Sequence, residues 1–220
     1  MGPLNLEVKL QRQRLGGPFE PLEIVLVNRA VASLVNEHQR RILEVGSGTG
    51  LFAWLAGNDP RRSIIASEFD EPARMWASEH RARPNIVYCD QPLEAFAAKE
   101  FDLGVAIEVI EHIHAFGPFL RALSRVSDTA IITTPNKQRT PFTSIARTPE
   151  YSEHVREWTA GEFLWVLRAF YARVELLTIP AVHQQVAAMQ ANDNYWPRLA
   201  ACTDLSSAPN LIAVCRGVID

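Results

Sequence analysis

Short apolar runs alternating with amphipathic stretches constrain this chain more than any other feature. "RILEV", "RSIIASE", "NIVYC", "FDLGVAIE" and "DTAIITT" read as strands rich in Ile and Val, and helical patterns lie between them in "LFAWLAGN", "EPARMWASEHRA" and "GPFLRALSRV". Strands of that kind, each followed by a helix, predict βαβ units and a mostly parallel sheet with helices on both faces. The expected architecture is therefore α/β and doubly wound. At 220 residues, 47% of them hydrophobic, the chain can bury one sizeable core, so a single domain over 1–220 is expected.

Around this rhythm lie less regular pieces. Residues 1–20 read as an arm punctuated by Gly16, Gly17 and Pro18, before a helix from Pro21 to about His38. Residues 135–158 form a polar, proline-containing insert too long for an ordinary connection, which points to a functional loop. A helix ("TAGEFLWVLRAF"), a strand ("ARVELLTI"), a second irregular insert at 181–208 and a last strand ("NLIAVCRGV") complete the chain.

A net charge of -3 and an isoelectric point near 6.1 leave no global basic field, which disfavours strong non-specific binding to nucleic acid or anionic membranes. Cys89, Cys202 and Cys215 are odd in number and lack CxxC spacing, against a disulfide framework or a structural zinc site. No segment approaches the roughly 18 apolar residues of a membrane span. A soluble, cytoplasmic protein with no membrane partner is expected.

The first strand runs into "GSGTGL". Gly46, Gly48 and Gly50 stand between strand and helix, where glycine lets backbone N–H groups approach a nucleotide-like cofactor. A nicotinamide turn would put Leu51 at a position requiring a small residue, no Lys-Ser/Thr follows as in a P-loop, and Ser47 is one position early for a hydrolase elbow. Glu44 would repel a pyrophosphate but suits a cofactor with an ammonium group and a sulfonium.

E-V-G-S-G-T-G resembles motif I of class I S-adenosylmethionine (SAM) dependent methyltransferases, and the similarity runs from about residue 40 to 170. The resemblance implies a seven-stranded Rossmann-like sheet and SAM as cofactor. It assigns Glu44, Gly46, Ser47, Gly48 and Gly50 to the SAM turn, Glu68 to the ribose hydroxyls, Phe69 to the adenine face and Asp90 to the adenine amino group. Glu108, after the fourth strand, falls beside the methionine end.

Methyl transfer is an in-line displacement, so a hydroxyl acceptor has to be held near the sulfonium and relieved of its proton. "EVIEH" puts Glu108, Glu111 and His112 at i, i+3 and i+4, one face of a helix. His154, in "SEHVREWTAGEF", can fold back toward them. Glu111, His112 and His154 are the catalytic candidates, with either imidazole as general base. The E-V-I-E-H, T-T-P-N and H-x-x-E-W-T elements resemble small-RNA 3′-terminal 2′-O-methyltransferases. That resemblance implies a divalent metal such as Mg or Mn on Glu108, Glu111, His112 and His154. Ubiquinone-biosynthesis O-methyltransferases, and bacterial enzymes acting on sugars and other small molecules, are similar over the same elements. The stretch between the two histidines lacks the basic, aromatic segment suited to a nucleic-acid end. A small-molecule or saccharide hydroxyl is the favoured acceptor, RNA the alternative, and a non-catalytic partner subunit that keeps the fold is a third reading.

Plainer roles stay open: Glu108 bonded only to SAM, Glu111 a cap or surface partner, His112 a packed histidine. His114 is expected to face elsewhere, and His38, His80 and His183 to lie on the surface or in packing. Trp158, Phe163, Trp165, Phe170 and Tyr171 recur at helical spacing and read as core, while Tyr195 and Trp196 are candidates to line the acceptor site. Arg139, Arg147 and Arg156 could meet an anion. Base N-methylation is disfavoured, since no Asn/Asp-Pro-Pro-aromatic run follows strand four.

Overall fold

A computed structural model describes residues 21–137, 154–202 and 210–219. The apolar runs form β1 (Arg41–Val45), β2 (Ser63–Ser67), β3 (Ile86–Cys89), β4 (Leu103–Ala106) and β5 (Thr129–Pro135); later come β6 (Tyr171–Thr178), β7 (Ala200–Ala201) and β8 (Asn210–Val218). They make one sheet in the order β3-β2-β1-β4-β5-β8-β6-β7. The strands from β3 through β5 run parallel, and β8 enters antiparallel between β5 and β6. Among the described residues there are eight strands rather than the expected seven, because β7, two exposed alanines of the second insert, pairs with Leu177 and Thr178 at the edge.

Strand alternation sends neighbouring side chains to opposite faces. Ile42 joins the cluster beneath α1 (Leu22–Leu34) and α2 (Leu51–Ala56), while Leu43 joins the one beneath α4 (Phe116–Val126) and α5 (Ala160–Leu167). Both clusters are buried, so the sheet is covered on both sides. Helix α1 stops at Leu34, short of His38, because Val35 is extended and the Asn36 side chain accepts the His38 N–H at 2.9 Å in a local turn. Helix α3 (Glu71–His80) starts at Asp70, whose carboxylate accepts the Ala73 N–H.

The second insert is more regular than its sequence suggests. It holds α6 (Val182–Ala191), which packs against α1 through Met189. Gln185 is the buried node: its amide donates to the Pro180 and Arg198 carbonyls, and its oxygen accepts from the Tyr195 hydroxyl and the Arg198 N–H. The two feet of the first insert are tied together, with Asn136 bridged to Trp158 and the Lys137 N–H donating to the Trp158 carbonyl at 2.8 Å. No helix among the described residues is long and apolar enough to cross a membrane.

Candidate functional site

The carboxyl ends of β1, β2 and β4 frame the first half of the site. The Gly46 and Ser47 N–H groups both donate to the Ser67 carbonyl, which folds the turn over the end of β2. Gly46 has φ +67° and a Cβ there would sit 2.7 Å from Val109 Cγ2, so the position excludes side chains on two grounds. Gly48 has φ +51° but faces open space, and its N–H donates to Glu68 Oε2 at 2.7 Å. The other Glu68 oxygen accepts the Asp70 N–H at 2.8 Å, so the carboxylate is held in place at the end of β2. Buried Glu44 accepts the Ala53 N–H through Oε2 at 3.2 Å in the first turn of α2. Gly50 opens that helix, facing Tyr88.

Glu44, Gly46, Ser47, Gly48 and Glu108 line one cavity of about 270 Å³, joined by Ile24 and Asn28 of α1. The Ser47 hydroxyl is buried with no hydrogen-bond partner. An unpartnered donor on the wall of a cavity edged by two carboxylates fits a polar, cationic cofactor. Phe69 is 67% exposed, and Asp90, also exposed, pairs with Arg74 at 3.7 Å; both stand on the outer rim beyond β2 and β3. The contribution of α1 was not legible in the sequence, where that stretch shows only amphipathic patterning.

The second half departs from the helix expected for "EVIEH". The β4–β5 pairing ends at Ala106 opposite Ile132, and β5 continues to Pro135. The chain leaving β4 therefore meets the projecting end of β5. Glu108 takes φ +54°, a 3₁₀ turn follows over Ile110–His112, and α4 begins only at Phe116. Glu108, Glu111 and His112 consequently do not share a helix face. Glu108 lies on the cofactor cavity, where Thr133 Oγ1 donates to its Oε1 at 2.8 Å and accepts its N–H at 3.0 Å.

Glu111, His112 and His154 do converge: one ligand atom from each lies within 4.8 Å of the others. The four residues assigned to a metal thus divide, with three grouped and Glu108 apart. The imidazoles of His112 and His154 meet edge to face, centroids 4.9 Å apart. His154 Nδ1 is 3.1 Å from Glu157 Oε1, and both side chains are largely buried. His154 is brought in by backbone, because the Glu111 carbonyl accepts the Val155 and Arg156 N–H groups at 2.8 and 3.1 Å. Glu111 is fully buried; its Oε2 accepts from Thr134 Oγ1 at 3.1 Å, while Oε1 has no hydrogen-bond partner. Burial, reinforced by Glu157, pushes its carboxyl up to about 7. A buried carboxylate with one oxygen lacking a donor, grouped with two imidazoles, fits a divalent cation.

Beside this group lies a cavity of about 410 Å³ lined by His114, Phe116, Lys137, Arg156, Glu157 and Glu162 among others, so His114 does face a hollow. Arg156 lies 4.1 Å over the Trp158 ring and 3.7 Å from Glu162, a wall of that cavity. Arg139 and Arg147 fall outside the described residues. Trp158, Phe163 and Tyr171 are core, as expected, whereas Trp165 is 77% exposed. Tyr195 is fixed to Gln185 of α6, on the side of α1, and neither it nor Trp196 borders the 410 Å³ cavity among the described residues. The threonines of β5 and Glu157 were missed by sequence reasoning; only the i, i+3 spacing of His154 and Glu157 carried a signal.

A family profile described as a methyltransferase domain matches residues 22–176. No curated protein sequence matches the chain. Several solved structures share the fold. A SAM-dependent methyltransferase from Thermotoga maritima, described as a possible histamine N-methyltransferase, superposes with a TM-score of 0.64 at 14% identity, covering 97% of this chain and 94% of that one. The methyltransferase domain of bacterial CtHen1-C gives 0.62 at 18%, covering 89% and 98%. The [4+2]-cyclase SpnF gives 0.60 at 18%, covering 90% and 81%.

Proposed function

The chain belongs to the methyltransferase-domain family of SAM-dependent enzymes, and on that premise we propose that it transfers the methyl group of SAM to a hydroxyl of a small molecule or saccharide. The observation that carries the hydroxyl reading is the convergence of Glu111, His112 and His154 one turn beyond Glu108. Glu108 and Glu44 receive the methionine end, the open face of Gly48 and the Ser47 hydroxyl receive the turn-facing part of the cofactor, and Glu68 takes the ribose hydroxyls. Phe69 and Asp90 attend the adenine at the rim.

The acceptor oxygen attacks the methyl carbon in line with the sulfonium; the O–C bond forms as the C–S bond breaks, and S-adenosylhomocysteine leaves as a neutral thioether. His112 or His154 removes the hydroxyl proton, and Glu157 holds His154 through Nδ1. In place of that histidine base, Glu111, His112 and His154 would hold a divalent cation such as Mg or Mn, which when bound would lower the hydroxyl pKa and orient it. The 410 Å³ cavity, edged by charged residues of both signs, receives the body of the acceptor. A reducing, cytoplasmic setting accords with three free cysteines.

A second reading, methylation of an RNA terminal 2′-hydroxyl, is favoured by the same Glu/His group, suited to gripping vicinal hydroxyls. A labelled-methyl screen of hydroxylated metabolites, saccharides and short RNAs separates the possibilities. Label in an alkali-stable ether of a small acceptor supports the proposal, and label confined to RNA 3′ ends supports the second reading. SAM binding with no transfer to any hydroxyl would make the chain a non-catalytic partner.

A further inference from the structure

Two adjacent threonines at the end of β5 each hold one carboxylate of the site. Because β5 outruns β4 beyond Ile132, Thr133 and Thr134 lie against the turn that carries Glu108 and Glu111. Successive strand residues point to opposite faces. Thr133 therefore reaches Glu108 on the cofactor side, and Thr134 reaches Glu111 on the acceptor side. Both threonines are fully buried, so water does not compete for either bond.

The bonds differ in kind. The Thr133 hydroxyl clasps Glu108 at two points, accepting its backbone N–H and donating to its carboxylate. That N–H belongs to a residue at φ +54°, a conformation side-chain-bearing residues hold only when their surroundings impose it. Thr134 occupies one oxygen of Glu111 and leaves the other, Oε1, without a hydrogen-bond partner, while the carboxylate offers an oxygen within 4.8 Å of a ring nitrogen of each histidine. A hydroxyl that fixes one carboxylate oxygen sets where the second one points.

We infer that Thr133 and Thr134 are separate positioning residues for the two halves of the site, Thr133 aiming Glu108 at SAM and Thr134 aiming Glu111 at a divalent cation. The second half rests on the metal reading given above; the first does not. The role is one of aim rather than chemistry, since neither hydroxyl lies on the reacting atoms. Valine matches threonine in shape and removes only the hydroxyl.

The test titrates SAM and Mn²⁺ separately, by calorimetry, into the full chain and its variants. Thr133→Val is expected to weaken SAM about tenfold, the loss typical of a hydrogen bond to a charged group, while Mn²⁺ affinity moves less than about twofold. Thr134→Val is expected to do the reverse, weakening Mn²⁺ by about tenfold or more, as loss of a ligand's supporting hydrogen bond does. Thr133→Ser and Thr134→Ser keep the oxygen and should restore both affinities. Should a valine variant fail to fold, the alanine variant takes its place in the same titrations. Equal weakening of both ligands by either variant, no change at all, or failure of serine to restore binding overturns the inference. If the unmodified chain binds no Mn²⁺, the metal reading and the Thr134 half fall together, and the Thr133 half is still decided by SAM.

Discussion

Gly46→Ala offers the sharpest perturbation of the cofactor turn. Two costs add at this position. An alanine at φ +67° pays for a left-handed backbone, about 1–2 kcal/mol. Its Cβ would also lie 2.7 Å from Val109 Cγ2, a distance real contacts do not reach, and such overpacking costs about 1–3 kcal/mol. The sum, about 2–5 kcal/mol, is a large share of the roughly 5–15 kcal/mol that stabilises a domain. At about 2–4 °C per kcal/mol for a chain of this size, a mid-range loss of about 3 kcal/mol lowers Tm by about 6–12 °C. Gly48→Ala is the internal control: its φ of +51° carries the first cost, but open space removes the second, so it should lose only about 2–8 °C. Placing Gly46→Ala in a Val109→Ala background should shrink its cost to about that of Gly48→Ala, because the clashing methyl is gone. Thermal melts of the cofactor-free protein measure all of this. The reasoning is refuted if Gly46→Ala melts no lower than Gly48→Ala, or if Val109→Ala leaves its cost unchanged.

Other outcomes follow from single groups. Burial raises the folded-state pKa of Glu111 to about 7 from an ordinary 4.5, so as pH climbs through that window the unfolded chain releases the proton more readily and stability falls. Glu111→Gln should flatten this decline in metal-free protein, and parallel melts at pH 5 and pH 8 that keep the wild-type slope would contradict it. Cys215 is buried and its thiol is pushed up by that burial, whereas Cys89 and Cys202 are half-buried; a thiol reagent should titrate at most two groups in the native protein and a third only in denaturant. Glu68→Ala frees the Gly48 and Asp70 N–H groups and removes the proposed ribose ligand, so calorimetry should show SAM affinity down by about tenfold or more. Thr159→Ala removes one side of the capping box with Glu162 at the start of α5 and should cost about 1 kcal/mol, or about 2–4 °C in Tm.

The parallel half of the sheet was legible because β1 to β5 are apolar on both faces and the glycine turn has few chemical uses. What escaped was decided by partners distant in sequence. Helix α6 was hidden by Gln184 and Gln185, and the latter is buried only because the Pro180, Tyr195 and Arg198 groups satisfy it. Strand β7 is two alanines with no pattern to detect. The i, i+3, i+4 spacing of Glu108, Glu111 and His112 pointed to a helix face. Yet the overrun of β5 supplied a hydroxyl for the Glu108 N–H and turned the backbone there instead. Glu108, held by Thr133 on the cofactor cavity, is thereby separated from the three residues it was grouped with. His154 was found by its residue type, but its place depends on two N–H groups bonded to the Glu111 carbonyl, which no local pattern announces.

Those two bonds, with the tie between residues 136–137 and Trp158, have a consequence for how such a chain can diversify. His154 is registered against Glu111 from its own side, by anchors that begin at Val155, and the other foot is fastened at Lys137. The register of His154 against Glu111 is thus carried by main-chain groups rather than by side chains. Side chains at 155 and 156 can therefore be exchanged while the imidazole keeps its place, and proline, which has no N–H, is the residue that breaks the anchor.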